Sequence, residues 1–255
     1  MITHRLNAYI RLMRLDKPIG IGLLLWPTLM ALWVSGFGKP DLTVVAVFVL
    51  GVVVMRSAGC VMNDLADKQF DQRVARTQNR PLTSREVSSR EATVLILTLL
   101  LLALCLLIPL NPLTRAMSVI GLLLASIYPF MKRYTHFPQV VLGMAFGWAV
   151  PMAFTALRGE IPLEGWLLYL ITGIWAVIYD TEYAMVDRED DLKIGIHSTA
   201  VLFGTADRFI IGVLQGLMLM LLALLGYWLK LGTLFFIGLG SSSVFFLRQP
   251  RSLLP

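Results

Sequence analysis

Two sets of side-chain oxygens in this chain have the types and spacing to do chemistry: Asn63, Asp64, Asp67 and Asp71, and a distant second set of Asp180, Asp187 and Asp191 with Tyr183 on its flank. On an α-helix, at about 100° per residue, Asn63, Asp67 and Asp71 fall at i, i+4 and i+8 and drift by only about 80° around the axis; Asp180, Asp187 and Asp191 fall within about 40° of one another. Each set is one stripe on one helix face. Stacked carboxylates repel, so two such stripes call for a cation between them. Oxygen-only donors suit a hard divalent ion, Mg²⁺ above all, which keeps several waters and is held by one or two carboxylates together with phosphate or diphosphate oxygens. No soft-metal set competes, because Cys60 and Cys105 are isolated and His4, His136 and His197 lack ligand-like spacing. The plainer reading of either cluster is a wetted helix end where acids meet lipid head groups, and the pairing of two matched clusters weighs against it.

The elements that must position these stripes follow from composition. The chain is 57% hydrophobic and 15% charged, with a mean hydropathy of +0.74, which places it outside ordinary soluble domains. An all-α, polytopic transmembrane helical bundle is expected. Apolar runs long enough to span lie at roughly 18–37, 43–62, 92–110, 113–131, 138–157, 165–186, 208–229 and 232–247, which predicts eight spans. The first lacks a small-residue cleavage site and reads as a retained helix. Short linkers between spans predict a single integral membrane domain over residues 1–255 and no soluble domain.

Basic residues set the orientation. With the N-terminus cytoplasmic, 17 of the 22 Lys and Arg fall on inside segments, four (Lys39, Arg115, Arg158 and Lys230) fall outside, and Arg56 is left within a span. That is the bias of the positive-inside rule. It puts both acidic stripes on the cytoplasmic side, since the second and sixth spans each run inward and end there. The net charge of +6 therefore serves topology and anionic lipid, and carries no nucleic-acid signal. Lys68, Arg76 and Arg80, close to the first stripe, and Lys132 and Arg133 in a further inside loop, suit a substrate with several anionic oxygens.

At this point the residues carry a resemblance. Asn63-Asp64-x-x-Asp67-x-x-x-Asp71, followed by Arg76-Thr77-x-Asn79-Arg80-Pro81-Leu82, resembles the first signature of the UbiA superfamily of intramembrane prenyltransferases. Tyr179-Asp180-Thr181-x-Tyr183 through Asp187-Arg188-x-Asp190-Asp191-x-Lys193 resembles the second. Arg11-Leu12-Met13-Arg14, Leu25-Trp26-Pro27-Thr28 and Tyr128-Pro129-Phe130-Met131-Lys132-Arg133 are similar to the branch that acts on 4-hydroxybenzoate. The two Asp-rich blocks are specific as a pair.

The resemblance implies a Mg²⁺-dependent transfer of a polyprenyl group from a polyprenyl diphosphate to the ring carbon ortho to the acceptor hydroxyl, a membrane step of ubiquinone biosynthesis in the bacterial inner membrane. It implies Asn63, Asp67, Asp71, Asp187 and Asp191 as metal-holding residues, with Asp64 and Asp180 in support, and Asp67, Asp71, Asp187 and Asp191 as the catalytic core. Lys68, Arg76 and Arg80 are then expected on the diphosphate, Arg133 with Lys132 on the acceptor carboxylate, and Tyr183 and Lys193 among the substrate contacts. Tyr128, Phe130, Phe146, Trp148, Trp175 and Tyr179 are candidates for cation–π stabilisation of the allylic cation, and also for plain packing. No protein partner is implied. Family members usually have nine helices, so the chain, with eight, is expected to lack the last. Two alternatives stay open: another aromatic acceptor such as a naphthoate, homogentisate or tetrapyrrole, and a cation transporter using the stripes as ion sites.

Overall fold

A computed structural model describes residues 2–72 and 77–252, and all of its regular structure is helical. The helices are α1 (Ile2–Leu12), α2 (Ile19–Ser35), α3 (Leu42–Asp71), α4 (Ser89–Leu106), α5 (Pro112–Met131), α6 (Pro138–Gly147), α7 (Ala149–Arg158), α8 (Leu163–Ile194), α9 (Thr199–Phe203), α10 (Asp207–Trp228) and α11 (Thr233–Ser252), with a 3₁₀ turn at Gly204–Ala206. Six helical segments are long and apolar enough to cross a membrane, and Ile19–Ser35 and Thr233–Phe246 are shorter apolar helices. These eight segments correspond one for one to the eight expected spans. Two boundaries differ. The expected second and sixth spans stop at 62 and 186, whereas α3 has 30 residues and α8 has 32. At 1.5 Å per residue both exceed 40 Å, more than the roughly 30 Å hydrocarbon layer, so each continues beyond the apolar zone with its stripe on the extension.

Local signals explain the boundaries. Asp41 accepts from the backbone N–H of Thr43 at 2.7 Å and caps α3, and these bonds hold its carboxyl below the ordinary carboxylate range. Ser88 and Glu91 form a capping box at α4, and Asn111 caps α5 ahead of Pro112. The expected fifth span is broken at Trp148 into α6 and α7. Pro151 has no N–H for the carbonyl of Gly147, which removes one rung of the ladder there. α8 ends on Gly195 in the left-handed region at φ 71°, and the chain then turns back so that Ser198 caps α9.

The core lies where α2, α7 and α8 meet. Phe154, Leu32, Ala31, Val150 and Leu168 are buried there. Small residues allow close helix approach: a Cβ added at Gly143 of α6 would stand 2.9 Å from the Gly173 carbonyl of α8. At the end far from the stripes, Arg158 donates to the carbonyls of Val34 at 2.8 Å and Ser35 at 2.9 Å and pairs with Glu164 at 2.6 Å. Phe154 is fully buried against this corner, so Phe154→Ala is expected to destabilise the bundle by about 3–5 kcal/mol while leaving the polar cavity lined as before. A thermal unfolding midpoint within error of the parent would contradict that.

A second cluster docks α1. Ala8 and Leu12 pack on Val61, Leu82, Val87 and Ala92, and Arg5 pairs with Glu91 at 2.5 Å and Arg11 with Glu86. The segment 81–88 is thereby held against the extension of α3, which brings Arg80 to the first stripe.

Candidate active site

The two stripes face a common cavity of about 210 Å³ at the end of the bundle where α3 and α8 finish. Asn63, Asp67 and Asp71 line it from α3, and Asp180, Tyr183, Asp187 and Asp191 from α8. Thr77 and Arg80 close one side. Tyr128 and Lys132 from the end of α5, Gln139 from the start of α6, and His197 and Ser198 close the other. Residues more than a hundred positions apart are thus brought together: periodicity puts each set on one helix face, and packing of the bundle turns the two faces toward each other.

The buried carboxylates are held by cations. Lys132 Nζ lies 2.5 Å from Asp67 Oδ2. Arg80 Nη1 bridges Asp71 Oδ2 at 2.7 Å and Asp64 Oδ1 at 3.0 Å, and Arg14 reaches the same Asp64 oxygen at 2.7 Å. Without such partners, acids as buried as Asp64 and Asp67, each 2% exposed, would be strongly destabilising. Burial pushes the Asp71 carboxyl above its ordinary range, against the opposing pull of Arg80. Tyr128 donates to Asn63 Oδ1 at 3.1 Å and so fixes the amide oxygen on the stripe.

Among the described residues, no three His, Cys, Asp or Glu groups stand close enough together to hold one ion. The stripes face each other across the cavity, and the acids of the first are engaged by Lys132, Arg80 and Arg14. Asp67 nevertheless leaves Oδ1 buried and without a hydrogen-bond partner, which is the signature of an oxygen that lacks its ligand. An oxygen-rich lining with such an atom fits a hard divalent cation.

The structure separates the expected site residues into two groups. Asn63, Asp67, Asp71, Arg80, Lys132, Asp180, Tyr183, Asp187 and Asp191 all border the cavity. Asp64 is turned toward Arg14 and Arg80, Lys68 donates to Ser89 at 2.9 Å, Arg133 donates to the Ala66 carbonyl at 2.7 Å, and exposed Lys193 lies 3.4 Å from Asp190. These four are outside the cavity lining. Arg76 falls outside the described residues. Of the aromatic candidates, Tyr128, Phe146 and Trp148 line the deeper cleft described next, whereas Phe130 is exposed.

That cleft, of about 590 Å³, runs from Tyr128 down between α3, α4, α5 and the α6–α7 pair. Its walls are Val47, Gly51, Met55, Gly59, Leu104 and similar apolar residues, and Tyr128 borders both it and the polar cavity. α4 and α5 have only 11% of their spanning windows buried, so the cleft adjoins the lipid-facing side. Arg56 is the basic residue on its wall. Its Nη1 donates to Cys60 Sγ, its Nε is buried and unpartnered, and its charge acts on Asp180 and Tyr128.

Sequence reasoning assigned no role to Arg56, Gln139 or His197. Arg56 carried a usable signal, being the one Lys or Arg left within a predicted span. Gln139 carried only its place in Gln139-Val140-Val141-Leu142-Gly143, a run similar to the family: its Oε1 accepts from the Thr199 backbone at 3.0 Å, a contact across 60 residues that fixes α9 beneath α6.

The fold and site are those of a multi-pass membrane helical bundle in which an acid-lined polar cavity and an apolar, lipid-adjacent cleft share Tyr128 as a common wall. The chain belongs to the UbiA prenyltransferase family, which it matches over residues 24–253. It is 57% identical over 96% of its length to the 4-hydroxybenzoate octaprenyltransferase of Nitrosococcus oceani, covering 86% of that protein. It is 53% identical over 93% of its length to the enzyme of the same name from Coxiella burnetii, covering 83% of it. Among solved structures it is similar to a UbiA homologue from Aeropyrum pernix, with a TM-score of 0.80, 24% identity, and coverage of 89% of this chain and 86% of that one. It is also similar to a UbiA homologue from Archaeoglobus fulgidus bound to GPP and Mg²⁺, with a TM-score of 0.75, 20% identity, and coverage of 94% and 84%.

Proposed function

We propose that this protein, acting as a single intramembrane domain, transfers a polyprenyl group from a polyprenyl diphosphate to the carbon ortho to the hydroxyl of 4-hydroxybenzoate, a step of ubiquinone biosynthesis. The observation that carries it is the junction at Tyr128 of the acid-lined cavity and the apolar cleft, in a chain more than half identical to named 4-hydroxybenzoate octaprenyltransferases. The diphosphate head belongs in the polar cavity and the isoprenoid tail in the cleft, where its burial is favourable.

Asn63, Asp67 and Asp71 from one side and Asp187 and Asp191 from the other would hold Mg²⁺. When bound, it supplies positive charge that stabilises the leaving diphosphate. Arg80 and Lys132 add donors to the same oxygens. The allylic C–O bond ionises with its electron pair leaving on the diphosphate, which stays in the polar cavity; the ring carbon ortho to the hydroxyl attacks the cation and then loses its proton to a diphosphate oxygen, restoring aromaticity. Tyr128 and Phe146 are on the wall of the cleft, and with the reacting end of the tail beside them they would stabilise the cation by cation–π contact and exclude water that would quench it.

The acceptor carboxylate needs a cation within reach of that carbon. Arg133 was expected there, but it donates to the Ala66 carbonyl away from the lining. Arg56 lies seven residues before Asn63 on α3, which returns it to nearly the same helix face about two turns deeper. We assign the carboxylate to Arg56. The basic-residue bias supports a cytoplasmic opening for the cavity, in the bacterial inner membrane.

Membranes containing the protein, incubated with a polyprenyl diphosphate and a panel of aromatic acceptors, are expected to prenylate 4-hydroxybenzoate in preference to naphthoate and homogentisate, and only with a divalent cation. Prenylation of another acceptor in its place would reassign the substrate. No product with any acceptor would end the transferase reading.

A further inference from the structure

Two of the carboxylate oxygens that suit a divalent ion, one on Asp67 and one on Asp71, are occupied by bases. Lys132 Nζ is 2.5 Å from Asp67 Oδ2, and Arg80 Nη1 is 2.7 Å from Asp71 Oδ2. An ion bonded to either oxygen at about 2.1 Å would stand within about 5 Å of the ammonium or guanidinium, and at that range two cations repel strongly in a partly buried site. The ion and these bases therefore compete for the same atoms. A base that leaves its carboxylate is stable at the rim only if other anionic oxygens receive it. A diphosphate provides them.

Resting on the assignment of Mg²⁺ and a diphosphate to this cavity, we propose that Lys132 and Arg80 are stand-ins for the divalent charge, released from Asp67 and Asp71 onto the diphosphate when metal and donor arrive together. Asp64 is the fixed point of the device. It is 2% exposed, and its Oδ1 accepts from both Arg14 and Arg80, so Arg80 stays tethered to the rim while it exchanges Asp71 for a phosphate oxygen. This gives Asp64 a positioning role distinct from that of its neighbours on the stripe. It also makes metal and diphosphate binding mutually reinforcing, by the same factor in both directions. The unpartnered Asp67 Oδ1 is the point at which an ion gains a first bond before Lys132 moves.

The test is a binding measurement on the full chain in lipid nanodiscs, with Mn²⁺ as the metal probe and labelled inorganic pyrophosphate as the anion probe. Replacing either base should have opposite effects on the two. Lys132→Met and Arg80→Met are each expected to bind Mn²⁺ alone about tenfold more tightly than the parent, as read by the loss of the free-ion paramagnetic signal, and to retain labelled pyrophosphate about tenfold more weakly in the presence of Mn²⁺. Lys132→Arg, which keeps the charge, should track the parent, and so should Lys39→Met, an exposed lysine outside the cavity. Mn²⁺ affinity unchanged or weakened in both Met variants, with pyrophosphate still retained by the parent, would overturn the proposal and leave the transferase reading standing. A parent that retains no pyrophosphate with Mn²⁺ would remove the diphosphate reading and this proposal together. A thermal midpoint for each variant checks that the inserted bundle is intact, and a tightened Mn²⁺ site in either variant supports the proposal for the base it removes.

Discussion

Asp67→Ala and Asp187→Ala are each expected to lower prenyl transfer by at least about 10²- to 10³-fold, with the protein still inserted and folded. That figure is the general cost of removing one preorganised stabiliser of developing charge, and an acid that holds the metal should cost no less. The two acids line opposite walls of one cavity, so each deletion takes one acid from a different side of the proposed metal site. Asp67→Ala also frees Lys132 from its ion pair, so its donor affinity should fall less than its turnover number. Single-turnover rates at saturating donor, with the thermal midpoint as a control, give the answer. If both variants ran within about tenfold of the parent, the acid-lined cavity would not be the reaction centre.

The parts of this molecule legible in the sequence are those governed by local rules. Helix geometry places Asn63, Asp67 and Asp71 on one face whatever the rest of the chain does, and hydropathy marks the spans. Both survive in the structure. The helix ends lie past the expected span ends because hydropathy reports where the bilayer stops, and α3 and α8 continue as helices beyond that point to Asp71 and Ile194. The charged side chains were harder. Lys68 and Arg133 look equivalent to Arg80 and Lys132 by distance along the chain, yet Lys68 turns to Ser89 and Arg133 to the Ala66 carbonyl. Which way a base turns is settled by loop closure and by α1, whose packing under Leu82 and Val87 holds the segment that carries Arg80. Leu82 lies two residues from Arg80, but its partners Ala8 and Leu12 on α1 are distant in the chain, so the contact is not encoded locally. The break at Trp148 was legible in principle through Pro151, but a proline in an apolar run is common in membrane helices and fixes no particular geometry.

Arg56→Met is expected to lower kcat/KM for 4-hydroxybenzoate by about 10- to 100-fold while changing the donor KM little. The lost contact is a hydrogen bond between charged groups, a class worth about 1.5–3 kcal/mol. Arg56 sits on the apolar cleft wall with a buried, unpartnered Nε, and an intramembrane guanidinium in that state is costly unless an anion arrives to share it. Methionine fills a similar volume, so the defect should lie in acceptor recognition and not in packing. The neutral analogue 4-hydroxybenzamide separates these causes: it should be a poor acceptor for the parent and no worse for Arg56→Met, because the missing charge has no carboxylate to meet. Arg133→Leu, at an exposed position outside the cavity, should change the acceptor kcat/KM by less than about threefold, the scale of a surface contact. The opposite pattern, with Arg133→Leu crippled for the acid and Arg56→Met unaffected, would move the acceptor carboxylate to the mouth of the cavity and invert the direction in which the ring enters.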